Sequence, residues 1–247
     1  MTTSISRLFC VLALLGLAAC GQESPVAASK PPATRSNSQT SIQLRSEQYP
    51  ELERRFSALQ TQFEGGNMSG DDLRAAFRDF YATDADLGAK LDRWIAQYPN
   101  SYVAKVARGI YYKKVGFESR GTAYINDTSQ SQIDGMNAAF EKAVADLRAS
   151  ITMSPKPFLS YFHLLDIGNA IGAKEEVRTI YDRANSLDPS SYAIRLKYMV
   201  TLQSRWGGSL KEMQSFYSEC QHAGLTDAQD KELQGMLAEE QVWLAQR

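Results

Sequence analysis

Three side chains of the hydrolase type follow one another at intervals of three residues: Ser160, His163 and Asp166. A serine nucleophile, a histidine base and a carboxylate that orients the base carry out acyl transfer in several unrelated folds. Residues at this spacing are neighbours on a helix surface. A regular helix, however, has no free N–H groups at mid-length to form an oxyanion hole. We therefore predict that the triplet is not catalytic and that His163 lies at the edge of an apolar helix face.

The sequence contains no pattern typical of a metal or cofactor site. His222 is the only other histidine, and no pair of cysteines at a zinc-binding spacing accompanies it. Phosphate-loop and dinucleotide fingerprints are absent. The formal net charge of -1 and the interspersed basic and acidic residues argue against a nucleic-acid groove. We expect no cofactor, no metal and no nucleic-acid partner, and we predict that Cys220 is a buried, inert thiol.

The least ordinary pentapeptide is Arg-Trp-Gly-Gly-Ser at residues 205–209. Glycines permit backbone geometry that other residues resist, and Ser209 is suited to cap the helix that follows. An arginine beside a tryptophan is typical of interaction hot spots. Two interpretations stay open: Trp206 belongs to a binding surface, or it plugs the helix stack. In the first, the candidate binding residues are Arg205, Trp206 and, in a separate loop, Arg120.

The elements that position these residues are helical hairpins. Pro155 and Pro189 stand 34 residues apart, which is the length of one tetratricopeptide unit. Between them, apolar residues recur with helical spacing in two stretches that Gly172 separates. Counting back from Pro189, Tyr181 and Ala184 occupy the positions at which such units place an aromatic and a small residue. We expect both side chains to pack against the first helix of the hairpin.

Helical periodicity continues along the rest of the chain, and no segment alternates convincingly like a strand. Besides the hairpin, the predicted helices lie at 49–63, 69–81, 87–98, 102–115, 133–151, 192–202, 210–220 and beyond 226. Capping patterns at Ser209 and Thr226 mark the last two starts, and residues 116–130 are predicted to be a loop. The predicted fold class is all-α: a tetratricopeptide-like helical-repeat (α-solenoid) array of about ten helices over residues 46–247.

This combination resembles an uncharacterised bacterial domain family. Its members pair a tetratricopeptide-like array with the Arg-Trp-Gly-Gly-Ser turn and an upstream Arg-Gly loop, here Arg120-Gly121. The resemblance covers the chain from Leu73 to Leu225, with residues 205–209 as its most specific part. It implies the helical fold and no particular activity.

The first residues resemble the signal of a bacterial lipoprotein. Arg7 precedes an apolar run from Leu8 to Leu17, which is too short to span a membrane as a mature helix. The run ends in Leu-Ala-Ala-Cys-Gly, which matches a lipobox. The resemblance implies a signal peptide at 1–19 and acylation of Cys20. Because Gly21 follows, it also implies sorting to the periplasmic face of the outer membrane. A plain signal peptide with a chance cysteine is the alternative.

Residues 20–45 are predicted to be the lipidated cysteine and a flexible tether. They are mostly Ser, Pro, Ala, Gln and Thr, with almost no bulky apolar residue before Ile42. Such a segment cannot bury enough surface to offset the entropy of ordering it. A flexible segment of this length reaches about 25–30 Å. Deleting residues 21–45 is expected to leave the stability of the domain unchanged.

These features favour an envelope lipoprotein, held to the membrane by its lipid, whose helical-repeat domain binds an envelope protein or peptide in a concave groove. One alternative is an envelope enzyme, acting on glycan or as another hydrolase, which needs an acid pair or a nucleophile in a pocket. The other is a structural subunit of an outer-membrane assembly complex. Because no clear catalytic candidate is present, the sequence favours a non-enzymatic role.

The lipid anchor is testable by the substitution Cys20→Ala. We expect this change to block lipid attachment and to leave the protein unprocessed or mis-sorted, because the thiol is the acceptor of the diacylglycerol. Membrane fractionation and the size of the product measure the effect. A cleaved, mature-sized Cys20→Ala protein that stays with the membranes as the wild type does would contradict the lipoprotein prediction.

Overall fold

The computed structural model describes residues 36–123 and 125–246. Within them the chain forms eleven α-helices and no strand, which confirms the all-α helical-repeat fold. The predicted signal peptide, Cys20 and the tether through residue 35 lie outside the described residues. None of the described helices is long and apolar enough to cross a membrane.

In chain order the helices are α1 (Gln39–Arg45), α2 (Tyr49–Glu64), α3 (Gly70–Ala76), α4 (Ala85–Gln97), α5 (Tyr102–Arg120), α6 (Gln130–Ser150), α7 (Phe158–Ala170), α8 (Lys174–Leu187), α9 (Tyr192–Thr201), α10 (Leu210–Cys220) and α11 (Asp227–Ala245). A 3-10 segment, Phe77–Tyr81, follows α3, and a shorter one, Ser204–Trp206, precedes α10. The hydroxyls of Ser209 and Thr226 accept hydrogen bonds from the first turns of α10 and α11, as predicted.

The folded domain begins earlier than predicted, because residues 39–45 form helix α1. Leu44 is buried, and so are two polar residues, Thr40 and Ser41. The Thr40 hydroxyl donates a hydrogen bond to Asp79 over 2.5 Å. The prediction of a flexible tether through residue 45 was therefore wrong for this helix, since polar residues with satisfied hydrogen bonds are buried here in place of an apolar stripe. Deleting residues 21–45 would remove α1, so a loss of stability is now expected.

The helices from α5 onward form hairpins: α5 with α6, α7 with α8, and α9 with α10, with α11 packed on α9 and α10. Glycines let the paired helices approach closely. A Cβ on Gly116 of α5 would lie 2.6 Å from the Phe140 ring of α6, and one on Gly168 of α7 would lie 2.9 Å from Val177 of α8. The prediction of a loop at 116–130 was thus wrong for 116–120, because Gly116 is a contact residue inside α5. The helix ends at Gly121, where φ is 70°.

An aromatic cluster joins α8, α9 and α10. The rings of Tyr181 and Tyr198 stack with their centroids 4.5 Å apart, and Phe216 packs edge-on against Tyr181 at 5.2 Å. Tyr181 and Ala184 are both buried, at 4% and 0% exposure. The burial of both side chains agrees with the repeat register inferred from Pro189, but the rings stacked against Tyr181 belong to α9 and α10 and not to α7, the first helix of its hairpin.

Two carboxylates tie α3 to the start of α9, more than a hundred residues further along the chain. Asp188 accepts a hydrogen bond from the backbone N–H of Gly70 over 2.6 Å. In return, Asp71 accepts from the N–H groups of Tyr192 and Ala193, over 3.0 and 3.2 Å. Each carboxylate thereby satisfies N–H groups that a helix start leaves without partners, and its negative charge is favourable at that end of the helix dipole.

This exchange places α3 and the segment Phe77–Tyr81 against the first helices of the three hairpins. Tyr81 packs against His163 of α7 and lies below the ammonium group of Lys113 of α5. Arg74 of α3 lies over the Phe162 ring of α7 at 5.5 Å. In a repeat array the first helices line the inner face. The chain's own N-terminal helices therefore cover part of the surface where the sequence predicted a groove for a partner.

Substitution of Tyr181 tests the packing of the hairpins. Tyr181→Ala is expected to lower the free energy of unfolding by about 3–5 kcal/mol, because a buried ring is replaced by a cavity. For a domain of this size the loss lowers the midpoint of a circular-dichroism melt by roughly 6–20 °C. Tyr181→Phe, which keeps the stacked ring, is the control and should cost about 1 kcal/mol or less. A Tyr181→Ala midpoint equal to that of the wild type would show that the aromatic cluster does not stabilise the array.

Candidate functional site

A pocket of 220 Å³ lies where the turn between α7 and α8 meets the connection between α9 and α10. Val177, Tyr198 and Trp206 supply aromatic and apolar walls, and Lys174 and Glu212 are among the charged residues that line it. Pockets that bury whole drug-sized ligands usually measure about 300–1,000 Å³. This volume is therefore suited to one side chain of a larger partner rather than to a cofactor.

The tryptophan at this pocket stands on a turn whose backbone admits only glycine at two positions. Gly207 has a φ of 82°, in the left-handed region that other residues rarely adopt. A Cβ on Gly208 would overlap the carbonyl oxygen of Leu202. The buried carboxylate of Glu240, from α11, accepts a hydrogen bond from the N–H of Ser204 over 2.9 Å. Local backbone geometry and a residue from the last helix together set the position of Trp206.

The structure brings together two of the three predicted binding residues. The Trp206 side chain is 38% exposed at the pocket, and Arg205 is exposed beside it. The Arg205 guanidinium donates two hydrogen bonds to the side-chain oxygen of Gln203, at 3.1 and 2.8 Å, so its orientation is held within the turn. Arg120 does not line this pocket. It lies at the end of α5 and donates to the carbonyls of its own loop, at Gly121 and Ala123.

The Ser160, His163 and Asp166 triplet lies on α7, but its members do not form a catalytic relay. The Ser160 hydroxyl is fully buried and forms a 2.7 Å hydrogen bond with the Ser150 hydroxyl. His163 is also fully buried, which differs from the predicted edge position. Its partner is a lysine of another helix: Lys113 of α5 donates to His163 Nδ1 over 2.9 Å.

The contact with Lys113 determines the state of the imidazole. A lysine ammonium can only donate, so Nδ1 accepts and the neutral ring carries its proton on Nε2. Burial, reinforced by the charge of Lys113, holds the pKa of His163 well below its usual range. Nε2 has no hydrogen-bond partner among the described residues. The ring packs edge-on against Tyr81 and Phe162. His163 is thus a neutral core residue that accepts from Lys113.

Asp166 is the carboxylate shared by two lysines. Lys113 Nζ lies 2.5 Å from one oxygen, and Lys197 of α9 pairs with the other. Burial alone would raise the pKa of Asp166, but the two ammonium groups outweigh it and hold that pKa below the usual range. The side chain of Lys113 is 3% exposed, whereas those of Asp166 and Lys197 are 20% and 23% exposed. The two ion pairs of Asp166 therefore connect the buried Lys113 with the partly exposed Lys197.

Sequence reasoning missed Lys113 and Lys197, since each comes from a different hairpin and neither stands in a motif. The one available signal was Asp166, a carboxylate on a mostly apolar helix, which needs a cation if it is to be buried. Periodicity identifies the face of a helix, but it does not say which lysine of another hairpin reaches that face.

The other buried carboxylates serve the fold. Asp146 pairs with Arg108 at 2.6 Å, Asp188 binds the N–H of Gly70, and Glu240 binds the N–H of Ser204. No cluster of three or more potential metal ligands occurs among the residues that the structure describes. Cys220 is a free, buried cysteine, as predicted, and burial raises the pKa of its thiol to about 11. Its reactive thiolate form is therefore suppressed at neutral pH.

The family model described as "Domain of unknown function (DUF4034)" matches residues 38–185, which is more than half of the chain. The match starts one residue before α1 and ends in α8. It therefore does not reach residues 205–209, which were predicted to be the most specific part of the resemblance. No curated protein and no solved structure matches the chain.

The ion pairs of Asp166 imply a stability that depends on pH. Asp166→Asn should lower the free energy of unfolding by about 3–5 kcal/mol at neutral pH, because it leaves Lys113 buried without a counter-charge. A lowered carboxylate pKa stabilises the folded state above the unfolded pKa of about 4, and this contribution is lost as the pH falls further. The difference between variant and wild type should therefore shrink below about pH 4.

Urea unfolding between about pH 3 and pH 7 measures this difference. The control is Asp182→Asn, which removes an exposed i,i+4 pair with Arg178 and should cost less than about 1 kcal/mol. A loss in Asp166→Asn that is no larger than the loss in Asp182→Asn would contradict a stabilising role for the shared carboxylate.

Proposed function

The chain belongs to the DUF4034 family, and we propose that it is a lipid-anchored envelope protein whose helical domain binds a protein or peptide at the pocket beside Trp206. The observation that carries the proposal is a large aromatic side chain left 38% exposed at the wall of a pocket of single-side-chain size. Aromatic and arginine side chains around a pocket are what protein-binding sites use as anchors.

The construction of the turn supports a role beyond packing. A tryptophan that only plugged the helix stack would be expected to be buried, whereas this one keeps more than a third of its surface in solvent. Two glycines with special geometry and the buried Glu240 are needed to hold the turn in place. The backbone of Trp206 is also held in place: its N–H donates to the carbonyl of Gln203, and the N–H of Gly207 donates to the carbonyl of Ser204. Such pre-organisation reduces the entropy lost on binding.

The pocket lies away from the inner face of the helical array, part of which the chain's own N-terminal residues cover. Tyr81 contacts α5 and α7, the first helices of two hairpins, and Arg74 contacts α7, so an entering peptide would meet the chain's own N-terminal part there. The pocket instead uses the end of the α7–α8 hairpin and the start of α10. Partner binding there requires no rearrangement of the described helices.

The proposed anchor gives this pocket a location at the membrane surface. The lipobox ending in Cys20 precedes a segment of low complexity, and the first described helix begins at Gln39. Several acyl chains, each CH₂ contributing about 0.8 kcal/mol on burial, would hold the protein on the membrane permanently. The lipid anchor would thus keep the pocket close to the membrane, where envelope partners could bind it.

Trp206→Ala tests the proposal. It should abolish capture of envelope proteins by the lipidated bait, because loss of a hot-spot side chain weakens binding by about 2 kcal/mol or more, roughly 30-fold. The melting midpoint should stay close to that of the wild type, since the side chain is partly in solvent. The measurement is a quantitative pull-down from envelope extract together with a circular-dichroism melt of each bait.

Val242→Ala is the matched control. Val242 is another exposed apolar residue, on α11, and it does not line the pocket. Capture should be unchanged in this variant and reduced in Arg205→Lys, because lysine lacks the planar fork that binds Gln203 and stacks on aromatic rings. A Trp206→Ala bait that melts many degrees lower, with normal capture by Arg205→Lys, would show that Trp206 is a plug and would refute the binding site.

A further inference from the structure

A second surface of the molecule carries charge that the pocket does not use. Four cations lie over the two rings that pack against His163, and we call them the basic cluster: Lys113 and Lys114 over Tyr81, and Arg74 and Lys197 over Phe162. They come from α3, α5 and α9 and converge on α7. None of them lines the pocket at Trp206.

The cations of the basic cluster outnumber its carboxylates. Asp166 pairs with Lys113 and Lys197, and Glu118 is the other carboxylate that acts on Lys114. His163 adds no charge, because burial keeps it neutral. The cations therefore exceed the carboxylates by two, in a chain whose formal net charge is -1. A local surplus of this kind attracts an anion.

The geometry leaves several donors at the exposed edge of the basic cluster. Lys197 and Asp166 keep about a fifth of their side-chain surface in solvent. The ammonium groups of Lys113 and Lys114 each lie 5.3 Å from the Tyr81 ring centroid, so the ring holds them close together despite their repulsion. Lys114 and Arg74 are each partly exposed, and Arg74 in addition has a buried Nε without a hydrogen-bond partner among the described residues. Each of these cations can donate a hydrogen bond, and none can accept one.

Tyr81, which is partly exposed, adds a neutral phenol to the basic cluster. Burial raises the pKa of its hydroxyl, and the charge of Asp166 raises it further, so the hydroxyl stays protonated at neutral pH. A site made of ammonium, guanidinium and phenol donors suits an oxyanion. A phosphate monoester carries about -1.5 to -2 charges at pH 7, whereas a carboxylate carries one. The surplus of two cations therefore matches a phosphate group better.

We propose that the exposed edge of the basic cluster binds the phosphate group of a ligand, with Lys114, Lys197 and Arg74 as its cationic contacts. Lysine serves as a point charge in many phosphate sites, and arginine adds a planar fork. Asp166 keeps its structural role, since it holds Lys113 and Lys197 in place. The site is independent of the peptide pocket, so either can fail without the other.

The test uses the full-length protein, with inorganic phosphate as the probe. Melting midpoints are compared in about 20 mM phosphate and in chloride of equal ionic strength. A site with a Kd of about 1 mM raises the midpoint of the wild type by roughly 4–7 °C. Lys114→Gln and Lys197→Gln should each lose most of this rise, and the midpoint in chloride shows whether each variant still folds.

Lys142→Gln is the matched control, because Lys142 also stacks on a tyrosine, 5.0 Å from the Tyr112 ring centroid, and lies outside the basic cluster. It should keep the full rise. Phosphate also stabilises many proteins by exclusion from their surface. An equal rise in Lys114→Gln, Lys197→Gln and wild type would therefore overturn the proposal, and so would the absence of any rise in the wild type.

Two further ligands distinguish the sources of the phosphate group. Glycerol phosphate represents a soluble metabolite. For a lipid headgroup, the lipidated protein is reconstituted in phosphatidylcholine vesicles with or without phosphatidic acid. A rise with either ligand that Lys114→Gln removes supports the site and identifies the source. A rise with inorganic phosphate that neither ligand reproduces would restrict the site to an adventitious ion only and would refute a phosphate-bearing ligand.

Discussion

The arrangement of the whole domain depends on the exchange of carboxylates between α3 and α9. Asp188 binds the N–H of Gly70, and Asp71 binds the first N–H groups of α9. Gly70 is required at its position, because a Cβ there would lie 2.7 Å both from the Asp188 carboxylate and from the Phe158 ring. Other hydrogen bonds also join the N-terminal helices to the later chain, such as that from Gln60 of α2 to Ser154, but this exchange is the one that joins α3 to the start of α9. The position of Tyr81, and with it the form of the basic cluster, follows from these bonds.

Much of the fold could be predicted from the sequence because the hairpins obey local rules. The period between Pro155 and Pro189 and the cap at Thr226 each depend on residues within one or two helices. The burial of Tyr181 follows from its place in the repeat, although its aromatic neighbours lie in α9 and α10. Helix α1 was missed because its buried face includes Thr40 and Ser41, and the hydroxyl of Thr40 is satisfied by the distant Asp79. Gly116 was misread because a glycine in a turn and a glycine at a helix contact look the same in a sequence.

The residues of the candidate sites likewise divide into those with a local sequence pattern, which could be predicted, and those without one. Residues 205–209 stand out in the sequence because the glycines and the tryptophan are adjacent, so Trp206 could be predicted as a binding candidate. The exposure of Trp206 and the support from Glu240 could not be predicted, since Glu240 lies 36 residues beyond Ser204, whose N–H it binds. Lys113 and Lys197 are separated from Asp166 by 53 and 31 residues. An ion pair between helices of different hairpins has no local pattern, and only the structure reveals it.

The separation of the two caps has a consequence for the order of folding during synthesis. Asp188 follows Gly70 by 118 residues, and a ribosome adds about 5–20 residues per second. The N-terminal helices therefore wait roughly 6–24 s for their partner to emerge. During that interval the N–H of Gly70 lacks the Asp188 carboxylate, although the hairpin of α5 and α6 has already been synthesised. The cap at Gly70 therefore closes late, after the whole of α8 has been synthesised, and the domain cannot complete its packing before then.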